Sequence, residues 1–114
     1  WLSANRPMHG DVVQLTEGYA WWWLYIGHFI RSPFYCYAYA FGELLVLALF
    51  QKYRQEGPSF VPKYLDLLGS GGSDAPHRLL ARLDVDVNDP GFWELGLRLL
   101  GEMVTEAEQL SDQV

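Results

Sequence analysis

The chain has 114 residues and a net charge of −6; half of its residues are hydrophobic and 16% are aromatic. That composition excludes the disordered class and fits one domain at most, with residues 1–114 read as a single segment. Its eight basic residues are scattered, which argues against a nucleic-acid partner, because phosphate contacts need clustered Lys and Arg.

Residues 1–15 are predicted to be irregular or a short helix, and the start Trp1-Leu2-Ser3-Ala4-Asn5-Arg6-Pro7 reads as a cut end rather than a leader: it has no charged region feeding an apolar run. Thr16 is positioned to cap a helix with Glu17 in its first turn, where the helix dipole favours an anion, and that helix is expected to run through Trp21-Trp22-Trp23 toward Ile30. Ser32-Pro33 is expected to open the next and longest helix, with Ser as N-cap and Pro at the first helical position, continuing to about Gln55 and stopping at Gly57-Pro58. Ser59 starts a helix whose apolar stripe, Phe60, Val61, Tyr64, Leu65, Leu67 and Leu68, is read as one core face ending at Gly69. Gly69–Ser73 is a helix stop and connector, Asp74 caps a short helix holding Leu79, Leu80 and Leu83, and Asp89-Pro90 opens a last helix carrying Phe92, Trp93, Leu95, Leu97, Leu99, Leu100, Met103 and Val104. Its acidic end, Glu102 to Asp112, is expected to be solvated. No period-two strand pattern and no internal repeat occurs, so the expected fold class is all-α.

The run Phe34–Phe50 approaches the roughly 20 apolar residues that a membrane-spanning helix needs. Glu43 sits near its middle, where a charge costs about 2.5–3.5 kcal/mol, and Tyr35, Tyr37 and Tyr39 belong at interfaces, so no membrane partner is expected. Cys36 cannot form an internal disulfide and lies among apolar neighbours; it is read as a buried structural thiol in a reducing, cytoplasmic compartment. The chain has no H-E-x-x-H, no Gly-x-Ser-x-Gly elbow and no phosphate loop, and His9, His28 and His77 are too far apart in sequence to make a metal site by spacing.

Most of the stretch YAWWWLYIGHFIRSPFYCYAYAFG reads as packing. On a helix, however, Tyr35, Tyr37 and Tyr39 cannot share one buried face, because each step of two turns the side chain by about 200°. Tyr35 and Tyr39 share a face at i and i+4, with Glu43 one turn further. A phenol is neutral at pH 7 and donates well to a developing oxyanion, so a tyrosine row on a helix suits transition-state stabilisation. Arg31 reads as a surface arginine beside a helix start.

The residues Trp22-Trp23, Tyr25-Ile26, His28-Phe29-Ile30, Ser32-Pro33-Phe34-Tyr35, Tyr37, Tyr39-Ala40 and Gly42 together resemble the C-terminal helical segment of oligoendopeptidase F, a thimet oligopeptidase-like zinc metallopeptidase. The likeness continues through Lys63–Leu68, Ser70–Ser73, Leu80, Asp84-Val85-Asp86 and Asp89-Pro90. The resemblance implies the C-terminal helical part of a larger, mostly helical enzyme that cuts short peptides in a deep channel. It implies zinc held by two His of H-E-x-x-H and a downstream Glu, with all of these ligands outside this chain and no metal on the chain by itself. Carried over, His28 matches the family's substrate-contacting histidine, Tyr37 and Tyr39 resemble the tyrosines that hydrogen-bond the tetrahedral intermediate, and Tyr35 is the reserve, substrate-binding tyrosine. The partners so implied are the remainder of the peptidase catalytic domain and short peptides, with self-association possible through surface the rest would cover. The chain alone is then expected to be inactive. The alternative is a stand-alone helical interaction module whose exposed aromatics bind a partner helix.

Overall fold

The structure is a computed structural model, and it describes residues 1–113. All of their regular structure is helical, as the sequence predicts. The α-helices are α1 (Leu2–His9), α2 (Gly27–Arg31), α3 (Tyr37–Glu56), α4 (Phe60–Ser70), α5 (Pro76–Ala81) and α6 (Pro90–Ser111), and 3-10 stretches cover Glu17–Tyr25 and Gly57–Ser59. None of the helices is long and apolar enough to cross a membrane, among the described residues. The chain divides into two compact units, Trp1–Tyr39 and the residues from Ala40 onward.

In the first unit no residue is buried. Ring contacts connect its pieces: Trp1 lies 6.1 Å from Tyr19 and 6.3 Å from Phe29 between ring centres, and His9 Nε2 is 3.3 Å from the Tyr19 hydroxyl. The single helix expected from Thr16 to Ile30 is instead a 3-10 stretch, a break at Ile26 (φ −87°, ψ 89°) and the short α2. The reason is packing of large rings. A 3-10 helix has three residues per turn, so side chains at i and i+3 eclipse, and Tyr19, Trp22 and Tyr25 follow one another along that edge at 5.0 and 6.5 Å. Thr16 does sit at the N-cap with extended backbone, but its side chain caps nothing.

The second departure lies at Ser32-Pro33, which opens a turn rather than a helix. The residue before a proline is pushed out of the helical region, and Ser32 has φ −135° and ψ 79°. Phe34 follows with φ +62°, and the Tyr35 N–H donates to the Ser32 carbonyl at 3.2 Å. Pro at the second position and a left-handed residue at the third are the signature of a type II turn, although the third position usually takes glycine. Helix α3 therefore starts at Tyr37, five residues after Ser32.

The second unit follows the predicted punctuation closely. Gly57 (φ +70°) ends α3, and Gly71 (φ +51°), two residues past the expected Gly69 stop, ends α4. Ser59 precedes α4, but its hydroxyl donates back to the Glu56 carbonyl at 2.9 Å instead of capping. The Asp74 carboxylate accepts the Ala75 N–H at 2.7 Å and the Arg78 Nε–H at 2.6 Å at the start of α5. Asp89 caps α6 as predicted, accepting the Gly91 N–H at 2.9 Å with Pro90 at the first helical position. The core gathers Ala48 and Leu49 of α3, Phe60 of α4, Leu80 of α5, Leu83, Val85, and Phe92 of α6. The α4 stripe splits: Phe60 is buried with Tyr64 and Leu67 packed on the core, while Val61, Leu65 and Leu68 face outward. In α6, Leu97, Leu100, Met103 and Val104 are likewise exposed, as is the acidic end.

Helices α3 and α6 approach closely at Gly96, where an added Cβ would come within 2.9 Å of the Leu44 carbonyl oxygen and 3.4 Å of the Ala48 nitrogen. Both are backbone atoms, so the helices themselves would have to move. Gly96→Ala is expected to destabilise the unit by about 1–3 kcal/mol, against the usual gain from removing a helical glycine. Gly101→Ala, on the same helix with open space around it, should instead stabilise by about 0.5–1 kcal/mol. Denaturant midpoints for the two variants check the pair of opposite signs.

Two carboxylates in this unit are held below their ordinary range. For Asp74 the chief cause is the Arg78 hydrogen bond, then the Ala75 N–H; for Glu56 it is the hydrogen bond from Lys52, 2.8 Å away, with Lys63 adding at 3.6 Å. A carboxyl that binds its proton less readily when folded adds stability above its unfolded range, and loses it as pH falls through the lower, folded one. Thermal melts should therefore lose midpoint from about pH 4 downward, and Asp74→Asn should flatten that loss.

Candidate functional site

The Ser32–Tyr35 turn folds the chain back on itself so that three predicted site residues meet. His28 lies in the first turn of α2, Tyr35 just after the reversal, and Tyr39 in the first turn of α3. The Tyr39 hydroxyl is 3.1 Å from His28 Nε2. The Tyr35 ring stacks on the His28 imidazole, with centres 5.1 Å apart and planes 23° from parallel, and meets the Tyr39 ring edge-on at 5.8 Å and 87°. His28 and Tyr39 are also edge-to-face, at 5.5 Å and 72°. All three rings thus touch each other.

Tyr37 is not brought in. It is 70% exposed, and its ring and hydroxyl make no contact with another aromatic ring or hydrogen-bonding group among the described residues. It does line the rim of an open groove of about 280 Å³ with His28, Phe29, Ser32, Tyr35 and Cys36. Cys36, expected to be a buried structural thiol, is only half-buried and faces this groove, because the turn places it ahead of α3 rather than inside a packed helix. Arg31 is exposed at the end of α2 with no ion-pair partner among the described residues, in keeping with a surface arginine.

Two features escaped sequence reasoning. The Tyr35 stack is one, since a helix opened at Ser32-Pro33 places Tyr35 on a helix face; the pre-proline restriction at Ser32 is the sequence signal that points to a turn instead. The His9–Tyr19 pair, ten residues apart across irregular chain, has no periodic signature at all.

The chemistry available here is hydrogen-bond donation from a neutral phenol and an imidazole mounted side by side, with aromatic walls around them. No group of three or more His, Cys, Asp or Glu that could hold a metal ion occurs among the described residues.

A helical segment that presents a His–Tyr pair beside an aromatic groove has homologues among bacterial oligopeptidases. The chain is 30% identical over 110 residues to oligopeptidase PepF of Bacillus subtilis, covering 96% of this chain and 16% of that protein. It is 28% identical over 110 residues to the group B oligopeptidase PepB of Streptococcus agalactiae, and 30% identical over 69 residues to an oligoendopeptidase F homologue of Mycoplasma genitalium. In the last case the match covers 60% of this chain and 11% of the relative. No family model matches the chain, and no solved structure matches it. Over 96% of its length the chain is thus similar to peptidases of the oligoendopeptidase F kind, and it spans about a sixth of the length of the first two of these relatives.

Because His28 and Tyr39 meet at an exposed surface, their bond contributes little to folding. Tyr39→Phe is expected to change the unfolding free energy by no more than about 0.5 kcal/mol, whereas Leu83→Ala, at the largest fully buried side chain of the core, should cost about 2–5 kcal/mol.

Proposed function

We propose that this chain forms one wall of the active site of an oligoendopeptidase F-type peptidase that hydrolyses short peptides. Tyr39 donates its phenolic hydrogen to the oxyanion of the tetrahedral intermediate, and His28 contacts the substrate beside it. The observation that carries the reading is the 3.1 Å contact between the Tyr39 hydroxyl and His28 Nε2, in a segment homologous to these peptidases over 96% of its length. It favours Tyr39 over Tyr37, whose phenol is unpartnered among the described residues, although Tyr37 and not Tyr39 lines the groove beside His28.

In this reading the rest of the peptidase domain supplies zinc and the group that activates water. The zinc would polarise the scissile carbonyl when bound; what this chain contributes is orientation and donation. A donor held on a helix end is already aimed before the reaction begins, so little reorganisation is needed as charge develops. The aromatic rings of the groove exclude water from one side and give an extended peptide a flat surface to lie against. The unburied rings of the first unit fit a segment that the rest of the domain covers, and a single unpaired thiol fits a cytoplasmic setting.

The full-length protein provides the test. Tyr39→Phe is expected to lower kcat on short peptides by about 10²–10³ with KM little changed, while Tyr37→Phe stays near wild type. A Tyr39→Phe enzyme with an undiminished rate would overturn the assignment. The 114-residue chain by itself, incubated with peptides and zinc, should show no turnover; zinc-dependent cleavage would place the metal site within it and sink the one-wall reading.

A further inference from the structure

We propose that Tyr35 is a positioning residue: its ring holds the His28 imidazole in place, and the tautomer so held decides whether Tyr39 can donate outward. This rests on the reading of His28 and Tyr39 as substrate-facing, but it is carried by a different observation, the three-ring geometry of the pair and its neighbour.

One hydrogen bond joins the Tyr39 hydroxyl and His28 Nε2, and a neutral imidazole carries its proton on only one of its two nitrogens. If the proton is on Nδ1, Nε2 is an acceptor; the phenol then gives its hydrogen to His28, and the exposed Tyr39 oxygen offers outward lone pairs only. If the proton is on Nε2, the imidazole donates to the phenol oxygen, and the phenolic hydrogen is free to point at a substrate oxygen. The same two side chains are therefore a donor-presenting site in one tautomer and an acceptor-presenting site in the other. An oxyanion is stabilised only by the first arrangement.

For the choice to be stable the imidazole must not swing. Tyr35 supplies that restraint with its ring face, stacked 5.1 Å from His28 at 23°, and the edge-on contact with Tyr39 at 87° holds both rings against each other. The Tyr35 hydroxyl takes no part, since it makes no hydrogen bond among the described residues. The ring arrives at this place because the Ser32–Tyr35 turn, with Phe34 at φ +62°, delivers it there. Tyr35 is thus needed for its ring face, which separates this role from the substrate-binding one that its phenol would serve.

The experiment is nuclear magnetic resonance on the 114-residue chain with nitrogen-15 in its histidines, above about pH 8 where an ordinary imidazole is neutral. Long-range proton–nitrogen correlations report which ring nitrogen carries the proton. His77, exposed and without a hydrogen bond among the described residues, is the internal reference. His28 is expected to show ring-nitrogen shifts displaced from those of His77. Tyr35→Phe should keep the wild-type shifts; Tyr35→Leu, which removes the aromatic face, and Tyr39→Phe, which removes the bond, should both move His28 toward the His77 values. Unchanged shifts in Tyr35→Leu, or a change in Tyr35→Phe as large as in Tyr35→Leu, would overturn the proposal. The wild-type chain gives an independent check. The carbon-bound ring protons of His28, lying over the phenol, should resonate upfield of those of His77, and coincidence with them would equally defeat the stack. None of these signals needs turnover. A full-length protein that cleaves no peptide would defeat the peptidase reading alone, and an unrestrained His28 in an active enzyme would defeat this one alone.

Discussion

The site depends on a backbone reversal that no ordinary helix could supply. Pro33 fixes its own φ and pushes Ser32 out of the helical region, and the chain then has to close the turn through Phe34 in a left-handed conformation. A bulky residue with φ +62° is costly, because the side chain crowds the following carbonyl. That cost falls at the point where the chain must bring Tyr35 against His28, and a continuous helix from Ser32 would have carried Tyr35 away along its axis. The three-ring cluster is in this sense a product of the strained turn, with α3 beginning late enough for Tyr39 to lie in its first turn.

The two units differ in what holds them together. From Ala40 onward there is a conventional core, with buried residues drawn from α3, α4, α5, α6 and the segment between the last two helices. Each of its Leu, Val and Phe side chains is worth about 1.5–3 kcal/mol of burial. Trp1–Tyr39 has no buried residue at all, and its order rests on ring-to-ring contacts worth about 0.5–1.5 kcal/mol each. Trp21, Trp22, Phe29 and Ile30 are half or more exposed. Apolar surface on that scale is rarely left to water in a lone soluble protein, and it accords with a stretch that spans about a sixth of its relatives' length.

Most of the second unit was legible because its signals are local. Asp89-Pro90, Gly57-Pro58 and the glycines of the Gly69–Ser73 run each act through their own backbone chemistry, and the helix ends they mark fall within a residue or so of the predicted limits. The all-α class followed from the same signals. The first unit was legible only in part. Consecutive aromatics satisfy a helical pattern in whichever period is tried, so nothing in Trp21-Trp22-Trp23 distinguished an α-helix from the 3-10 stretch, where the i, i+3 ring contacts decide. At Ser32-Pro33 two rules competed: the cap-and-proline pattern of a helix start, and the pre-proline restriction that makes a turn. The second prevailed, and that reversal is why Tyr35 and Tyr39 meet through a turn and not through the helical i, i+4 spacing that first grouped them.

A hydrogen-bonded His–Tyr pair is worth little for stability when exposed, and its two members would each be better solvated apart. What the pairing provides is direction. A phenol free in water samples many orientations, whereas one tied to an imidazole that is itself stacked has its lone pairs and its proton assigned. Whether such a pair presents a donor or an acceptor is therefore set by which nitrogen of His28 bears the proton. The neighbours that give the pair its geometry are aromatic rings, and no salt bridge involves the residues of the turn among those described. A site built this way keeps its donor pattern largely independent of ionic strength, because stacking and neutral hydrogen bonds are not screened as ion pairs are.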